Sequence, residues 1–425
     1  MSIFHKETGN RPKKQGQGLM SGLNDTCYIW RQEMKQVVRD EGVLIFFILV
    51  PIIYPLLYSW IYNNEVVREV PVVVVDNSHS QLSRRFIRMC DASPDVHVAY
   101  YAQDLDEAKS LVSRQLAKGV YYIPSDFESV LLRGSQTTVG VYCDMSLMLA
   151  YKAVFQTAQT VTMEMGTELK KTLLQLPTAH EEAIQTQPLA FTDVPIFNPS
   201  GGYGSFILPG VLMLILQQTL VLGIGLSAGT AREDNRYRQL VPINRHYHGM
   251  FRIVIGKSMA YFMIYAVMGA WLTCVVPRLF HFPQLAGFAS LTALMLPYLL
   301  ACIFFGITVS CLVRYRENVM LLMVFISVPL LFLSGVSWPQ SNIPGFWQGI
   351  SWLFPSTFGV RAYVALNSMG APLNDVLIDL RILWLQALVY FIVACLVYNR
   401  QIAMARDDVR ARLAEMRAHR PAKEQ

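Results

Sequence analysis

The sequence predicts a polytopic α-helical membrane protein with six transmembrane helices and an inserted α/β extracytoplasmic domain. Hydrophobic residues make up 53% of its 425 residues and charged residues only 16%, well under the ~25% of ordinary soluble domains. Long apolar runs recur along the chain, and one polar stretch of domain size separates the first run from the others. These observations favour a bundle of membrane helices that carries one soluble domain.

Residues 1–42 are predicted to be a cytoplasmic arm that contains a helix at residues 23–40. Apolar and charged residues are interleaved there with the spacing of an amphipathic helix. Trp30, Arg31 and Lys35 suit a helix lying in the membrane interface. A solvated helix that leads into the membrane is the alternative.

Residues 43–62 are predicted to form transmembrane helix 1. The apolar run is barely long enough to cross a bilayer at about 1.5 Å of rise per residue. Pro51 and Pro55 predict a kink, which is tolerated where neighbouring helices cover the freed backbone groups. Aromatic residues near its end are typical of a membrane interface.

Residues 63–200 are predicted to form the extracytoplasmic α/β domain. Alternating strand and helix patterns predict a sheet with at least some parallel pairing. The predicted strands are residues 70–76, 97–101, 120–124, 137–144 and 191–197, and the predicted helices are 80–90, 104–118, 126–133 and 146–174. Cys90 and Cys143 fall in this domain, and the sequence leaves a disulfide between them open because it gives no distance.

Residues 201–398 are predicted to form a five-helix transmembrane domain, followed by a cytoplasmic tail at 399–425. Gln217 and Gln218 lie near the middle of its first helix, where glutamines more often hydrogen-bond between helices than contact a substrate. The predicted spans are residues 205–227, 253–276, 288–313, 319–336 and 382–398.

Residues 229–252 form a basic loop between two of these spans. Charges of this density cannot lie in hydrocarbon, and an excess of Lys and Arg indicates the cytoplasmic side. Six spans then place both termini in the cytoplasm. Residues 236–241 can form a short helix that Pro242 ends, which suits docking to a soluble partner.

Residues 337–360 combine several aromatic residues with prolines and glycines and contain no charged residue. The segment is too broken to span the membrane. We therefore predict a re-entrant or interfacial pair of short helices on the outer side.

The sequence offers no catalytic constellation. Gly256, Lys257 and Ser258 look like the end of a phosphate-binding loop, but Phe251 stands where that loop needs a glycine. The seven cysteines have no metal-ligand spacing, and the clustered basic residues indicate topology rather than nucleic-acid binding. We expect no enzyme activity, cofactor, metal or nucleic-acid partner, and an energy source on a separate subunit.

The layout of one span, a large external α/β domain and five further spans resembles that of ABC-2-type transporter permeases, in the exporter branch with a large extracytoplasmic domain between the first and second transmembrane helices. The resemblance extends over most of the chain through the order and spacing of its motifs. In the coupling segment, the usual glycine and glutamate of the family are replaced. The matching motifs are VVVVD at 72–76 with Ser83 and Arg84, VYYIPSDF at 120–127, Gly134, YCD at 142–144, FNP at 197–199, FILPG at 206–210, ARE at 231–233, QLVP at 239–242, GK at 256–257, and Ser334 and Gly335 with Pro339 and Pro355.

The resemblance implies a dimer of permeases, homo- or heteromeric, with two copies of an ABC ATP-binding subunit that carries the ATP hydrolysis. The interfacial helix and the basic loop would hold that subunit. The residues implied to couple to it are Arg232, Glu233, Arg236, Arg238, Gln239, Leu240 and Pro242.

The resemblance also implies export of an amphipathic substrate, such as a drug, lipid or lipid-linked molecule, across the cytoplasmic (inner) membrane. Membrane lipid and a periplasmic adaptor are further candidate partners. From the span centres we place the substrate path at Met213, Gln217, Gln218, Phe304 and Phe305. We expect the outer gate at Trp338, Pro339 and Pro355.

A second class of function is a non-transporting membrane scaffold or receptor whose extracytoplasmic domain binds a cell-envelope partner. The tail after Tyr398 is short for an output domain, and five clustered spans exceed what an anchor needs. A third class, a membrane enzyme, lacks its catalytic residues.

Overall fold

The computed structural model describes residues 19–63, 65–174, 196–198, 201–233, 250–312 and 316–418. The chain divides into two compact units. We call Met1–Asn63 together with Gly204–Gln425 the helical unit, and Asn64–Tyr203 the sheet unit.

Helix α1, Leu19–Arg39, confirms the helix expected near the N-terminus. Its buried residues include Asp25, Ile29, Glu33 and Val37. A spacing of four places these side chains on one face of the helix. The buried face of α1 therefore combines two apolar and two acidic side chains.

Helix α2, Glu41–Ile61, begins at Asp40, whose carboxylate accepts a hydrogen bond from the Val43 N–H. It widens into a π-helical turn at Ile45–Leu49. Pro51 lacks an N–H, and in a regular α-helix its ring would crowd the carbonyl of Phe47, which lies within that turn. The widened turn accommodates the proline, as single π-turns inside helices commonly do.

The sheet unit has four strands in the order β2-β1-β3-β4. β1 pairs in parallel with β2 and β3, and β4 pairs antiparallel with β3, which confirms the expected parallel pairing. The strands are β1 Val70–Asp76, β2 Val96–Tyr101, β3 Gly119–Ile123 and β4 Gly140–Cys143. The helices that follow them are α3 Gln81–Asp91, α4 Leu105–Ser113, α5 Phe127–Leu132 and α6 Met148–Leu174.

Helices cover both faces of this sheet. Val72 and Val74 pack with α3, α5 and α6 on one face, whereas Val73 and Val75 pack with α4 on the other. β1 is buried on both sides for this reason, which explains its continuous run of valines.

One sequence prediction for this unit needs correction, and another lies mostly outside the described residues. The helix predicted at 104–118 ends at Ser113, because Gln115 turns into the left-handed region at φ 64°. The Leu116 N–H then donates to the Leu111 carbonyl at 3.1 Å, a helix-ending pattern that needs no glycine. Most of the strand predicted at 191–197 lies outside the described residues, and residues 196–198 are not in a strand.

Cys90 and Cys143 are both free thiols, so the disulfide that the sequence left open is not formed. Burial, with a smaller effect from Asp91, raises the pKa of the Cys90 thiol to about 12. Burial also raises the pKa of Cys143. Both side chains therefore stay protonated at neutral pH, and thiols in this state are poor nucleophiles.

The helical unit continues with seven helices in its described part. All but α11 contribute to a main apolar core, and a smaller cluster is formed by Val221, Phe305 and Met323. The last of them, α13, begins before the predicted final span and runs on to residue 418. The helices are α7 Tyr203–Glu233, α8 Met250–Leu279, α9 Phe288–Leu312, α10 Arg316–Leu333, α11 Gly345–Ser351, α12 Pro355–Tyr363 and α13 Leu377–Ala418.

Five helical segments in the described part of the chain are long and apolar enough to cross a membrane. α10 is apolar but has only 18 residues, which gives about 27 Å of helix at 1.5 Å per residue. That length is slightly below the ~30 Å hydrocarbon core. A sixth span at α10 therefore stays a prediction. The candidate spans are Glu41–Ile61, Tyr203–Thr230, Met250–Leu279, Phe288–Cys311 and Leu373–Arg400.

Candidate functional site

The buried face of α1 packs along α8 through two ion pairs. Arg252 Nη1 donates to Asp25 Oδ2 at 2.7 Å, and Lys257 Nζ donates to Glu33 Oε2 at 2.6 Å. The Tyr261 hydroxyl donates to the other carboxylate oxygen of Glu33. Only 3% of the Glu33 surface is exposed, so a charged carboxylate at this position requires such partners.

Gly256 lets the two helices approach closely. A Cβ at this position would lie 2.9 Å from the Ile29 Cβ and 3.0 Å from the Thr26 carbonyl oxygen. Gly256 and Lys257, which resemble the end of a phosphate-binding loop, instead serve the packing of the two helices. Gly256 leaves room for the α1 backbone, and Lys257 pairs with Glu33.

The three residues that the sequence assigned to an interfacial role occupy the other side of α1. Arg31 and Lys35 are exposed, and Trp30 is half-buried. Within the described residues, the Trp30 indole N–H has no hydrogen-bond partner. Asp25 and Glu33, which the sequence reasoning passed over, make the polar contacts to α8. The sequence does contain a signal for this contact, because Asp25 and Glu33 are eight residues apart and lie on the same helix face as Ile29 and Val37.

The predicted coupling loop is described only at its ends. Arg232 and Glu233 lie in the last turn of α7, and α8 starts at Met250. Five predicted coupling residues lie outside the described residues: Arg236, Arg238, Gln239, Leu240 and Pro242.

Met213 and Gln217 of the predicted substrate path are both 1% exposed and belong to the interior of the helical unit. The Tyr298 hydroxyl donates to the Met213 carbonyl oxygen at 2.6 Å. Gln217 Oε1 accepts from the Ser356 N–H at 2.6 Å and from the Cys302 thiol at 3.6 Å. Gln217 therefore joins α7 to α9 and α12, in line with the inter-helix role that mid-span glutamines usually have.

The other three predicted path residues make a long hydrogen bond or aromatic ring contacts. They are Gln218, Phe304 and Phe305. Gln218 Nε2 donates to the Ser327 carbonyl at 3.5 Å. Phe304 stands edge-on to Phe391, with ring centroids 5.0 Å apart. Phe305 meets the rings of Phe354 and Tyr390 edge-on at 5.8 and 5.3 Å.

A small cavity brings together Gln217, Gln218 and Phe305, with Met323 and Phe354 on its other walls. Its volume is about 40 Å³, which is room for roughly one water molecule. Ligand pockets usually measure some 300–1,000 Å³. In this conformation the three residues therefore line a space too small for a drug-sized ligand.

The segment predicted to be a pair of short helices does contain two, α11 and α12. Side chains of long helices satisfy the backbone groups at the break between them. Gln386 Nε2 donates to the Trp352 carbonyl at 2.7 Å, and the Tyr390 hydroxyl donates to the Leu353 carbonyl. Gln217 accepts the Ser356 N–H at the start of α12. Buried backbone groups outside regular helix need such partners, and the sequence reasoning missed Gln386 and Tyr390.

The predicted outer-gate residues occupy different environments. Trp338 is 53% exposed. Pro339 precedes a short 3₁₀ turn at Gln340–Asn342, and Pro355 is the buried first residue of α12. Arg361 of α12 donates to the Gln340 Oε1 at 3.1 Å and pairs with Asp379 of α13. The turn after Pro339 is thereby tied to both helices.

No group of three or more His, Cys, Asp or Glu side chains that could hold a metal occurs within the described ranges. The buried polar contacts above instead join helices to one another.

Comparison with known proteins gives two findings. A family model described as ABC-2 family transporter protein matches residues 42–396. Two curated relatives, both named probable multidrug ABC transporter permease YbhR, come from Escherichia coli strain K12 and Escherichia coli O157:H7. Each is 22% identical over 334 residues, which cover 76% of this chain and 84% of the relative. The region that the family model matches begins in α2 and ends within α13, so it includes the sheet unit.

Proposed function

Because this chain belongs to the ABC-2 family of transporter proteins, we propose that it is the permease subunit of an ATP-driven exporter. The substrate is an amphipathic molecule, such as a drug, lipid or lipid-linked molecule, which leaves across the cytoplasmic membrane. The multidrug name of the two relatives supports this substrate class. ATP hydrolysis takes place on a separate ABC ATP-binding subunit.

The observation that carries this proposal is the polar contact between α1 and α8. Segment 234–249 connects α7 to α8, and it is the segment proposed to dock the ATPase. When the ATPase displaces this segment, the displacement is transmitted directly to α8. It also reaches α1, because the Asp25–Arg252 and Glu33–Lys257 pairs hold the two helices together. An ion pair resists sliding between helices better than apolar contact does, since displacement leaves a buried charge without its partner.

The same displacement is also transmitted to the helix pair α11–α12, through α7. Arg232 and Glu233 end α7, and Gln217 of that helix accepts the Ser356 N–H of α12. We propose that α7 transmits the displacement to this pair, which acts as the outer gate together with Trp338, Pro339 and Pro355. The small cavity beside Gln217, Gln218 and Phe305 widens into the substrate path when the gate opens.

The proposed assembly contains a second permease, identical or different, and two ATP-binding subunits. The chain spans the inner membrane six times, with α10 as the fifth span. Both termini and the loop at 229–252 face the cytoplasm, and the sheet unit lies outside, where it can meet a periplasmic adaptor.

The first experiment is affinity purification of the full chain from native membranes, with mass spectrometry of the proteins that come with it. We expect an ABC ATP-binding subunit in equal amount, and its loss in the variant Arg232→Ala with Glu233→Ala. The matched control is Arg114→Ala, which removes an exposed arginine of the sheet unit and keeps the ATPase bound. Recovery of a cell-envelope protein without any ATPase would instead support the scaffold function.

A further inference from the structure

The sheet unit has an open groove at the carboxyl ends of β1 and β2. The groove has a volume of about 870 Å³, within the range of small-molecule sites. Six polar residues line it: Asp76, Asn77, His79, Arg84, Arg88 and Gln103.

The topology of the sheet creates this groove. After β1 the chain turns into α3 on one face, whereas after β2 it turns into α4 on the opposite face. β1 and β2 are adjacent strands, so their connections diverge and leave a crevice between them. Ligands of open α/β sheets bind at such points, outside the carboxyl ends of the strands.

The one carboxylate in the groove is already engaged. Asp76 Oδ1 accepts from the N–H groups of Ser78 and His79, both at 3.1 Å. Its Oδ2 accepts from the Ser83 hydroxyl at 2.8 Å. Asp76 therefore fixes the loop after β1 and the first turn of α3, and three donors offset much of its negative charge.

The two arginines are free for a ligand. Arg84 and Arg88 lie one turn apart on α3, so they point from the same face of the helix. Both side chains are exposed. Of the described residues, none forms an ion pair with either arginine, and Arg84 makes only a long 3.4 Å hydrogen bond to the His79 carbonyl. The groove thus presents two guanidinium groups beside the imidazole of His79.

The remaining walls of the groove are apolar or aromatic. Ile87 is 6% exposed and lies on α3 between the two arginines, whereas Tyr101 at the end of β2 is 67% exposed. A ligand with an anionic end and a less polar body would match both kinds of wall.

We propose that this groove binds a phosphate monoester through Arg84 and Arg88. The arginine fork makes paired, charge-assisted hydrogen bonds to phosphate oxygens. Two fixed positive charges match the charge of −1.5 to −2 that a phosphate monoester carries near pH 7. His79, Asn77 and Gln103 supply further donors at the same end of the sheet. The ligand is either a soluble ester or a lipid head group with a terminal phosphate. The inference does not depend on the transport activity.

The test is calorimetric titration of the full chain, held in phosphatidylcholine nanodiscs, with glycerol 3-phosphate. We expect saturable binding that weakens about ten-fold or more in Arg84→Gln and in Arg88→Gln, since each loses a charge-assisted contact. Arg133→Gln is the matched control, because it removes an exposed arginine of the same unit that does not line the groove. A melting temperature near that of the unaltered chain shows that each variant is folded.

Three results would overturn the proposal. They are the absence of saturable binding, equal affinity in the double variant Arg84→Gln with Arg88→Gln, and equal loss in Arg133→Gln. Acetate that binds as tightly as glycerol 3-phosphate would also overturn it, since the groove would then select carboxylates.

Nanodisc composition distinguishes the two sources of the phosphate. Discs containing phosphatidic acid carry the terminal phosphate, whereas discs containing phosphatidylglycerol carry anionic charge without it. Weaker apparent binding of glycerol 3-phosphate in the phosphatidic acid discs alone supports a lipid head group as the ligand. Equal binding in both kinds of disc supports a soluble ester.

Discussion

At the scale of single residues, Glu33 is the side chain on which the contact between α1 and α8 depends most. Its carboxylate accepts from Lys257 on one oxygen and from Tyr261 on the other. The side chain of Glu33 is 4% exposed, and that of Lys257 is 13% exposed. Loss of one partner therefore leaves a charge that water reaches poorly.

We predict that Glu33→Gln and Lys257→Met each lower the free energy of unfolding by about 3 kcal/mol, since each removes one charge of a buried ion pair. The double variant should cost less than the sum of the two, with a coupling of about 1–3 kcal/mol. Denaturant unfolding of the detergent-solubilised chain measures all three values.

The control is the exposed pair Asp106 and Lys109 of α4, whose side chains are 94% and 57% exposed. An Asp106→Asn and Lys109→Met cycle should give a coupling below about 1 kcal/mol. Equal coupling in the two cycles would mean that the α1–α8 pair contributes no more than a surface ion pair.

Sequence patterns predicted helix α1 but neither its buried face, which includes Glu33, nor what that face contacts. The four-residue spacing of Ile29, Glu33 and Val37 is visible in the sequence. Lys257 lies 224 positions away from Glu33, and periodicity carries no information on pairing at that separation. The same limit applies to Gln217 and Ser356, which are 139 positions apart.

At the scale of elements, the helix pair α11–α12 relies on its neighbours for hydrogen bonds. A broken helix leaves orphan N–H and C=O groups at the break. α7 supplies the acceptor Gln217, and α13 supplies the donors Gln386 and Tyr390. The prolines and glycines predicted the break itself, because these residues interrupt helices. Helix-breaking residues do not indicate which helix supplies the missing partners.

We predict that Gln217→Met destabilises the start of α12 by about 1–3 kcal/mol, since the buried Ser356 N–H loses its acceptor. Methionine keeps the length of the side chain, which limits the packing change. Hydrogen exchange with mass spectrometry should show faster exchange over Pro355–Tyr363 and no change in the sheet unit. In a transport assay, the same variant should leak substrate without ATP if the pair is the gate.

The neighbouring glutamine provides the comparison. Gln218 is only half-buried, and its hydrogen bond to the Ser327 carbonyl is long at 3.5 Å. Gln218→Met should therefore change exchange in α12 little. If the two variants speed exchange there equally, the Gln217–Ser356 hydrogen bond has no special role in holding α12.

The π-helical turns of the chain are only partly predictable from nearby prolines. The π-helical turns at Ile45–Leu49 and Trp271–Val275 each precede a proline, Pro51 or Pro277. In each case the carbonyl four residues before the proline lies within the π-helical turn. Pro209 and Pro297 lie inside regular helix instead, so a proline alone does not predict the turn.

At the scale of the whole molecule, every apolar core lies within one of the two units. The helical unit is organised around residues of α7, α8, α9, α12 and α13. The sheet unit has one core on each face of its sheet. Sequence composition predicted this division, because a polar α/β pattern interrupts long apolar runs.

We predict that the two units lose protection separately. Phe86 is 1% exposed and packs edge-on to Tyr121, with ring centroids 6.1 Å apart. Phe86→Ala should cost the sheet unit about 3–5 kcal/mol, the usual cost of removing a buried aromatic ring. Hydrogen exchange of the full chain should then quicken over β1 and β3 while α9 keeps its protection, because its core residues lie in the other unit.

The reciprocal variant completes the test. Tyr298 is fully buried in the helical unit, and its hydroxyl donates to the Met213 carbonyl. Tyr298→Ala should quicken exchange over α7 and α9 and leave β1 protected. If either variant quickens exchange equally in both units, the chain unfolds as a single cooperative body.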